Sequence, residues 1–139
     1  PCQFKPTKAL AQHWMNIAAG KSGLFFTAIA SFYDSEAETF EQHELRAELS
    51  INTSNAKEHF QVLFDQREAI EEAMQEKLEW QNREDRKSCK IYIRRSANLE
   101  QPDCWSGYFE WLCKKLDRMN FVFRDRIKNL DDILSAGDL

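Results

Sequence analysis

Glycine and proline are scarce in this chain, four and three among 139 residues. So few breakers across long patterned segments exclude a disordered or low-complexity polymer. No apolar run approaches the roughly 20 residues that a membrane-spanning helix needs. The opening Pro1-Cys2-Gln3-Phe4-Lys5 has no hydrophobic signal core. No membrane partner is therefore expected. Cysteine is limited to Cys2, Cys89, Cys104 and Cys113, whose spacings match neither a zinc pattern nor a C-x-x-C redox pair. The simplest expectation is four buried or half-buried thiols in a reducing compartment, hence a cytoplasmic protein. The first residue is not Met, from which we expect a single domain over residues 1–139 that is the C-terminal fragment of a longer protein.

What is present is apolar surface and segregated charge. Hydrophobic residues make up 42% and aromatics 12%, enough for a core that buries roughly two-thirds of the chain's surface. The net charge of −4 hides a polarity. Residues 34–79 hold thirteen acidic and four basic side chains, whereas residues 80–99 and 114–128 each hold six basic and two acidic. A whole-domain nucleic-acid binder is normally basic throughout. Here only a local basic pole could serve that purpose.

The periodicities predict an α+β fold. Residues 8–20 fit a helical face or a short strand, and Gly20-Lys21-Ser22-Gly23 is a turn. Leu24 to Tyr33 is nearly free of charge, as in a strand buried on both faces. Asp34 to His43 has no period and reads as a mobile loop. From His43 to Ile51, Leu45, Ala47, Leu49 and Ile51 alternate with Glu44, Arg46, Glu48 and Ser50, predicting a strand with one dry and one wet face. Asn55, or Ser54, then caps a helix of about twenty residues carrying Ala56, Phe60, Leu63, Ile70 and Met74 on one stripe. Leu78-Glu79-Trp80 and residues 88–94 predict a second strand pair, with Cys89, Ile91 and Ile93 inward. A long helix follows Pro102, with a break expected near Asn120 and a frayed tail over 131–139. The expected architecture is an antiparallel sheet of four to five strands packed against two long helices.

Candidate chemistry is thin. Gly20-Lys21-Ser22 lacks the upstream glycine of a phosphate loop, since Met15 stands five positions before Gly20, and a strand follows instead of a helix. Asp34, Glu44 and Glu48 could feed a magnesium site of the PD-(D/E)XK nuclease type. Neither Glu44-Leu45-Arg46 nor Glu48-Leu49-Ser50 carries the lysine that chemistry needs, and strand alternation already explains both glutamates as a solvated face. His13, His43 and His59 are scattered, with His59 read as a surface or boundary residue. We therefore expect no catalytic residue, no metal ligand and no cofactor. The strongest binding candidate is Arg83, Arg86, Lys87, Lys90, Tyr92, Arg94 and Arg95, a basic turn and strand face with one aromatic interleaved. It could neutralise phosphates of a nucleic acid, or simply pair with the acidic helix. In the last helix Trp105 and Phe109 share a face, while Trp111 points elsewhere and marks a surface for a protein partner or homodimer.

A set of short motifs runs the length of the chain. Gln12-His13-Trp14-x-Asn16-Ile17 and Gly20-x-Ser22-Gly23 precede Asn55-Ala56-Lys57, Ile70-Glu71 and Leu78-Glu79-Trp80. Trp105, Trp111-Leu112 and Val122-Phe123-Arg124-x-Arg126-Ile127 complete the set. In this order, from about Gln12 to Leu130, they resemble an uncharacterised bacterial family, domain of unknown function 4268. The resemblance implies a domain often found C-terminal to one that resembles PD-(D/E)XK nucleases, and it carries over no catalytic residues. It also implies a preceding helix with a Trp/Tyr-Leu pattern, missing here, so that any nuclease chemistry would belong to the missing part. The expected function is a non-catalytic accessory or interaction module that either contacts nucleic acid or docks another protein. The alternatives are a small metal-dependent nuclease and a structural dimerisation domain.

Overall fold

A computed structural model describes residues 13–137, with backbone alone for 13–15 and 137. The strands are β1 (His13–Ala18), β2 (Leu24–Ser31), β3 (His43–Ile51), β4 (Glu79–Gln81) and β5 (Cys89–Ala97). They form one antiparallel sheet in the order β1-β2-β3-β5-β4. The helices are α1 (Ala56–Asp65), α2 (Arg67–Met74), α3 (Trp105–Lys128) and α4 (Leu130–Gly137), with a 3₁₀ turn at Pro102–Cys104 leading into α3. The α+β class and the antiparallel five-stranded sheet packed against helices are thus present as the periodicities predict.

Register explains the core. Leu24, Ile51 and Cys89 lie in one cross-strand row, Phe26, Leu49 and Ile91 in the next, and Ala28, Ala47 and Ile93 in a third. All nine are buried and share one core with Phe60, Leu63, Ile70, Leu112, Leu116, Met119, Phe123 and Ile127 from the helices. Every helix therefore sits on one face of the sheet. Ala28, Ala30 and Ala47 give that face a shallow trough, and α3 packs on β2 and β3 where they lie. Small side chains there let the helix approach closely.

The turn before β2 needs its glycines. Gly20 and Gly23 have φ of +94° and +88°, a region closed to most residues. A Cβ on Gly23 would stand 2.9 Å from the Thr53 methyl.

Four local expectations need correction. The single helix over 55–75 is two, because the chain breaks at Gln66, whose side-chain Oε1 accepts from Arg126 Nε at 3.1 Å. Asn55 is the residue before α1 but makes no side-chain capping bond. The last long helix runs unbroken through Asn120 and stops at Asn129. The tail does not fray at Asp131: it forms α4, packed on α1, with Leu130 fully buried.

Candidate functional site: a basic depression on the open sheet face

The face of the sheet away from the helices is built from Glu44, Arg46, Glu48 and Ser50 of β3, and Lys90, Tyr92 and Arg94 of β5. The β4 residue Gln81 lies beside Lys90. Alternation correctly gives the direction of these side chains, but not their hydration. Glu44 and Glu48 are only 1% and 2% exposed, so the expectation of a solvated acidic face fails. The physical reason is a lattice of arginines laid over the carboxylates. Arg46 Nη2 donates to Glu48 Oε1 at 2.6 Å, and its guanidinium lies 3.7 Å over the Tyr92 ring. Ser50 Oγ donates to Glu48 Oε2 at 2.9 Å. Burial first of all pushes the Tyr92 hydroxyl above its ordinary titration range.

Arg94 knits the segment after β2 into the same lattice. Its Nη2 donates to Asp34 Oδ1 at 2.8 Å and its Nη1 to Glu36 Oε2 at 2.7 Å. Asp34 Oδ1 also accepts from the Glu36 and Ala37 amides, both at 2.9 Å, and the backbone of Asp34 pairs with Thr39. The acidic segment is thus a closed turn and not an irregular loop. Ser35 N donates to Glu44 Oε1. The bond from the Ala37 amide, opposed by burial and joined by the Glu36 amide and Arg94, holds Asp34 below the ordinary carboxylate range. Glu44 Oε2 lies 3.8 Å from Arg46 Nε and 3.7 Å from Arg94 Nε, Coulombic but not hydrogen-bonding separations.

Beside this lattice is a depression of about 320 Å³ lined by Ser35, Arg46, Gln81, Arg83, Arg86, Ser88 and Lys90. Four cations meet there. Arg46 is paired with Glu48, Arg83 with Asp85 at 3.0 Å, and Lys90 stands 4.0 Å from Glu48. Arg86 has no ion-pair partner among the described residues. Among the described residues this pole forms no ion pair with the acidic helix: Glu71 and Glu76 of that segment pair with Lys77 and Lys115.

Of the residues singled out by sequence, Arg83, Arg86 and Lys90 line the depression together. Tyr92 lies under Arg46, and Arg94 is spent on carboxylates. Lys87 is exposed on the turn outside the lining. Arg95 is on the opposite face, in the row of Leu45, with its guanidinium over Tyr108 and Trp111. Sequence reasoning missed Arg46, whose place opposite Arg94 in the β3–β5 register was not legible from β3 alone.

From His13 onward the motifs are spread over the sheet, the turn before β2, α1, α2 and α3, not gathered at one site. Residues 2–127 match the family Domain of unknown function (DUF4268). The chain belongs to that family. No curated protein and no solved structure matches it. In this family member no group of three or more His, Cys, Asp or Glu among the described residues is arranged to hold a metal ion. No helix among them is long and apolar enough to cross a membrane.

Other sequence expectations fall away from the depression. Cys89 and Cys104 are free thiols, and burial pushes the Cys89 thiol up. Cys113 is disulfide-bonded, so the expectation of four thiols fails there. Cys2 and the side chain of His13 lie outside the described residues. Trp111 is half-buried, packed against the core beneath Arg95 and Lys115. His43 is buried, and its Nδ1 accepts from the Leu99 amide at 2.9 Å. His59, read as a surface residue, is 1% exposed.

Proposed function

We propose that this chain is an accessory interaction module whose open sheet face binds the phosphate backbone of a nucleic acid. The observation that carries the reading is the convergence of Arg46, Arg83, Arg86 and Lys90 on one depression, with Ser35, Gln81 and Ser88 as neutral donors around them. Four cations meet three carboxylates, Glu44, Glu48 and Asp85, leaving a small positive excess, with Arg86 unpaired among the described residues, on a protein of net charge −4. Such a local field suits backbone contact without base readout. The sequence resemblance supports a setting beside a nuclease-like domain in bacterial relatives, where the module would hold substrate for a neighbour's chemistry.

Fluorescence anisotropy with a labelled oligonucleotide at roughly 50 and 200 mM salt tests the reading. Arg86→Ala and Lys90→Ala should each weaken binding across sequences and lower the salt slope by about one. Unchanged affinity in both variants would remove the proposal. Arg94→Ala is unsuitable as a binding probe, because its guanidinium holds the fold's own carboxylates.

The nuclease alternative is disfavoured by the arginines that engage Asp34 and Glu48. A dimerisation role has one observation in its favour: Phe121 on α3 is 70% exposed. Light scattering of wild type and Phe121→Ser decides it, and a monomer at all concentrations would end it.

A further inference from the structure

A second concavity, of about 450 Å³, shares no lining residue with the basic depression. It is lined by the turn before β2 (Lys21, Ser22, Gly23), the β3–α1 connection (Asn52 to Asn55), His59 of α1 and Asp131 of α4. Four of these form a chain of hydrogen bonds. Thr53 Oγ1 is 2.7 Å from His59 Nδ1, and His59 Nε2 is 3.0 Å from Asp131 Oδ1. Lys21 Nζ donates to the other carboxylate oxygen of Asp131 at 2.5 Å.

The chemistry of the partners fixes the direction of the protons. An ionised carboxylate can only accept, so Nε2 of the imidazole carries its hydrogen toward Asp131. In the neutral ring Nδ1 is then the acceptor, and the Thr53 hydroxyl must donate to it. Lys21, whose hydrogen bond is the foremost cause, and His59 after it, hold Asp131 below the ordinary carboxylate range, which maintains that polarity. A hydroxyl bonded to a base that is itself oriented by a third group is the arrangement of an activated nucleophile.

Packing supports the same geometry. The Thr53 methyl fills the space that a side chain at Gly23 would take, and a β-branched residue so held has its χ1 set. Asn52 N donates to Gly23 O at 2.7 Å, locking the two segments together. His59 is buried behind Thr53, which is itself half-exposed, so a reactant meets the hydroxyl first.

We propose that Thr53, His59 and Asp131 form an acyl-transfer site for small polar carboxylic esters. The acyl class follows from the lining, in which no apolar side chain offers a seat for a fatty chain. Thr53 Oγ attacks the ester carbonyl carbon while its proton passes to His59 Nδ1. The carbon–oxygen bond to the alcohol breaks, and the alcohol leaves with that proton. Water then attacks the acyl-threonine, gives a proton to Nδ1, and releases the carboxylic acid as Thr53 recovers its hydrogen. Thr53 and His59 are the catalytic residues; Asp131 and Lys21 are positioning residues.

The test is stopped-flow hydrolysis of 4-nitrophenyl acetate by the full chain, with peptide mapping of the acid-quenched protein. The expected result is an initial burst with acetyl on Thr53, retained in Thr53→Ser and abolished in the isosteric Thr53→Val. Asp131→Asn should slow acylation by about tenfold or more, less than the loss of a buried orienting carboxylate because Asp131 is 61% exposed, with KM unchanged. Far-UV circular dichroism confirms that each variant is folded. Absence of an acetyl-Thr53 peptide from folded wild type overturns the proposal, as does an acylation rate in Asp131→Asn equal to that of wild type.

Discussion

Arg94 shows how much one side chain can organise. It is 14% exposed and reaches Asp34, Glu36 and Glu44 from the middle of β5. Removing one partner of a buried ionic group leaves uncompensated charge, at a cost of about 3–5 kcal/mol. We expect Arg94→Met to lower unfolding stability on that scale, measured by urea denaturation at neutral pH, and a loss under about 1 kcal/mol would show the lattice to be solvated. Asp34 gives a pH signature. Its folded-state titration lies below the ordinary value, so the folded state binds the proton less readily than the unfolded chain. The stabilisation is whole above the ordinary aspartate range, about pH 4, and is lost as pH falls through the lowered folded value. Asp34→Asn should flatten the acid limb of the urea midpoint, and parallel curves for wild type and variant would contradict it.

Elements divide into those written locally and those set by distant partners. β3 and β5 were legible because Leu45-x-Ala47-x-Leu49 and Cys89-x-Ile91-x-Ile93 are local alternations. The α3 stripe was legible for the same reason at helical spacing. The break at Gln66 was not, since its bond from Arg126 spans sixty residues of chain. The burial of Glu44 and Glu48 was equally hidden, because the arginines that permit it come partly from β5. The relay needed three connections at once: a turn, a helix and a tail that composition marks as frayed. A turn-scale expectation follows from Gly23. Gly23→Ala combines a positive φ with a 2.9 Å approach to Thr53, and should cost at least about 1 kcal/mol, read as a lowered thermal midpoint. A midpoint equal to wild type would mean the turn can reshape.

At the scale of the whole molecule, one sheet face is spent on a core and the other on charge. The helices gather on the first, with Phe26, Phe123 and Leu63 fully buried between layers. The second carries the ionic lattice and the depression beside it. Cysteine chemistry offers a check on the assembled chain. With Cys89 and Cys104 free and Cys113 disulfide-bonded, alkylation of denatured, unreduced protein should modify two thiols. Four modified thiols would restore the fully reduced expectation. The sheet margin also shapes how copies of this protein meet. β4 pairs only with Lys90, Ile91 and Tyr92, so the rest of β5 toward Ala97 borders no strand on that side among the described residues. Arg94 and Arg95 stand along this stretch, one above the sheet and one below. Arg94 is tied to carboxylates, so the charge at this margin is that of Arg95; a charge beside an unpaired edge hinders another strand seeking to extend the ladder, which would keep crowded molecules from zipping into fibres.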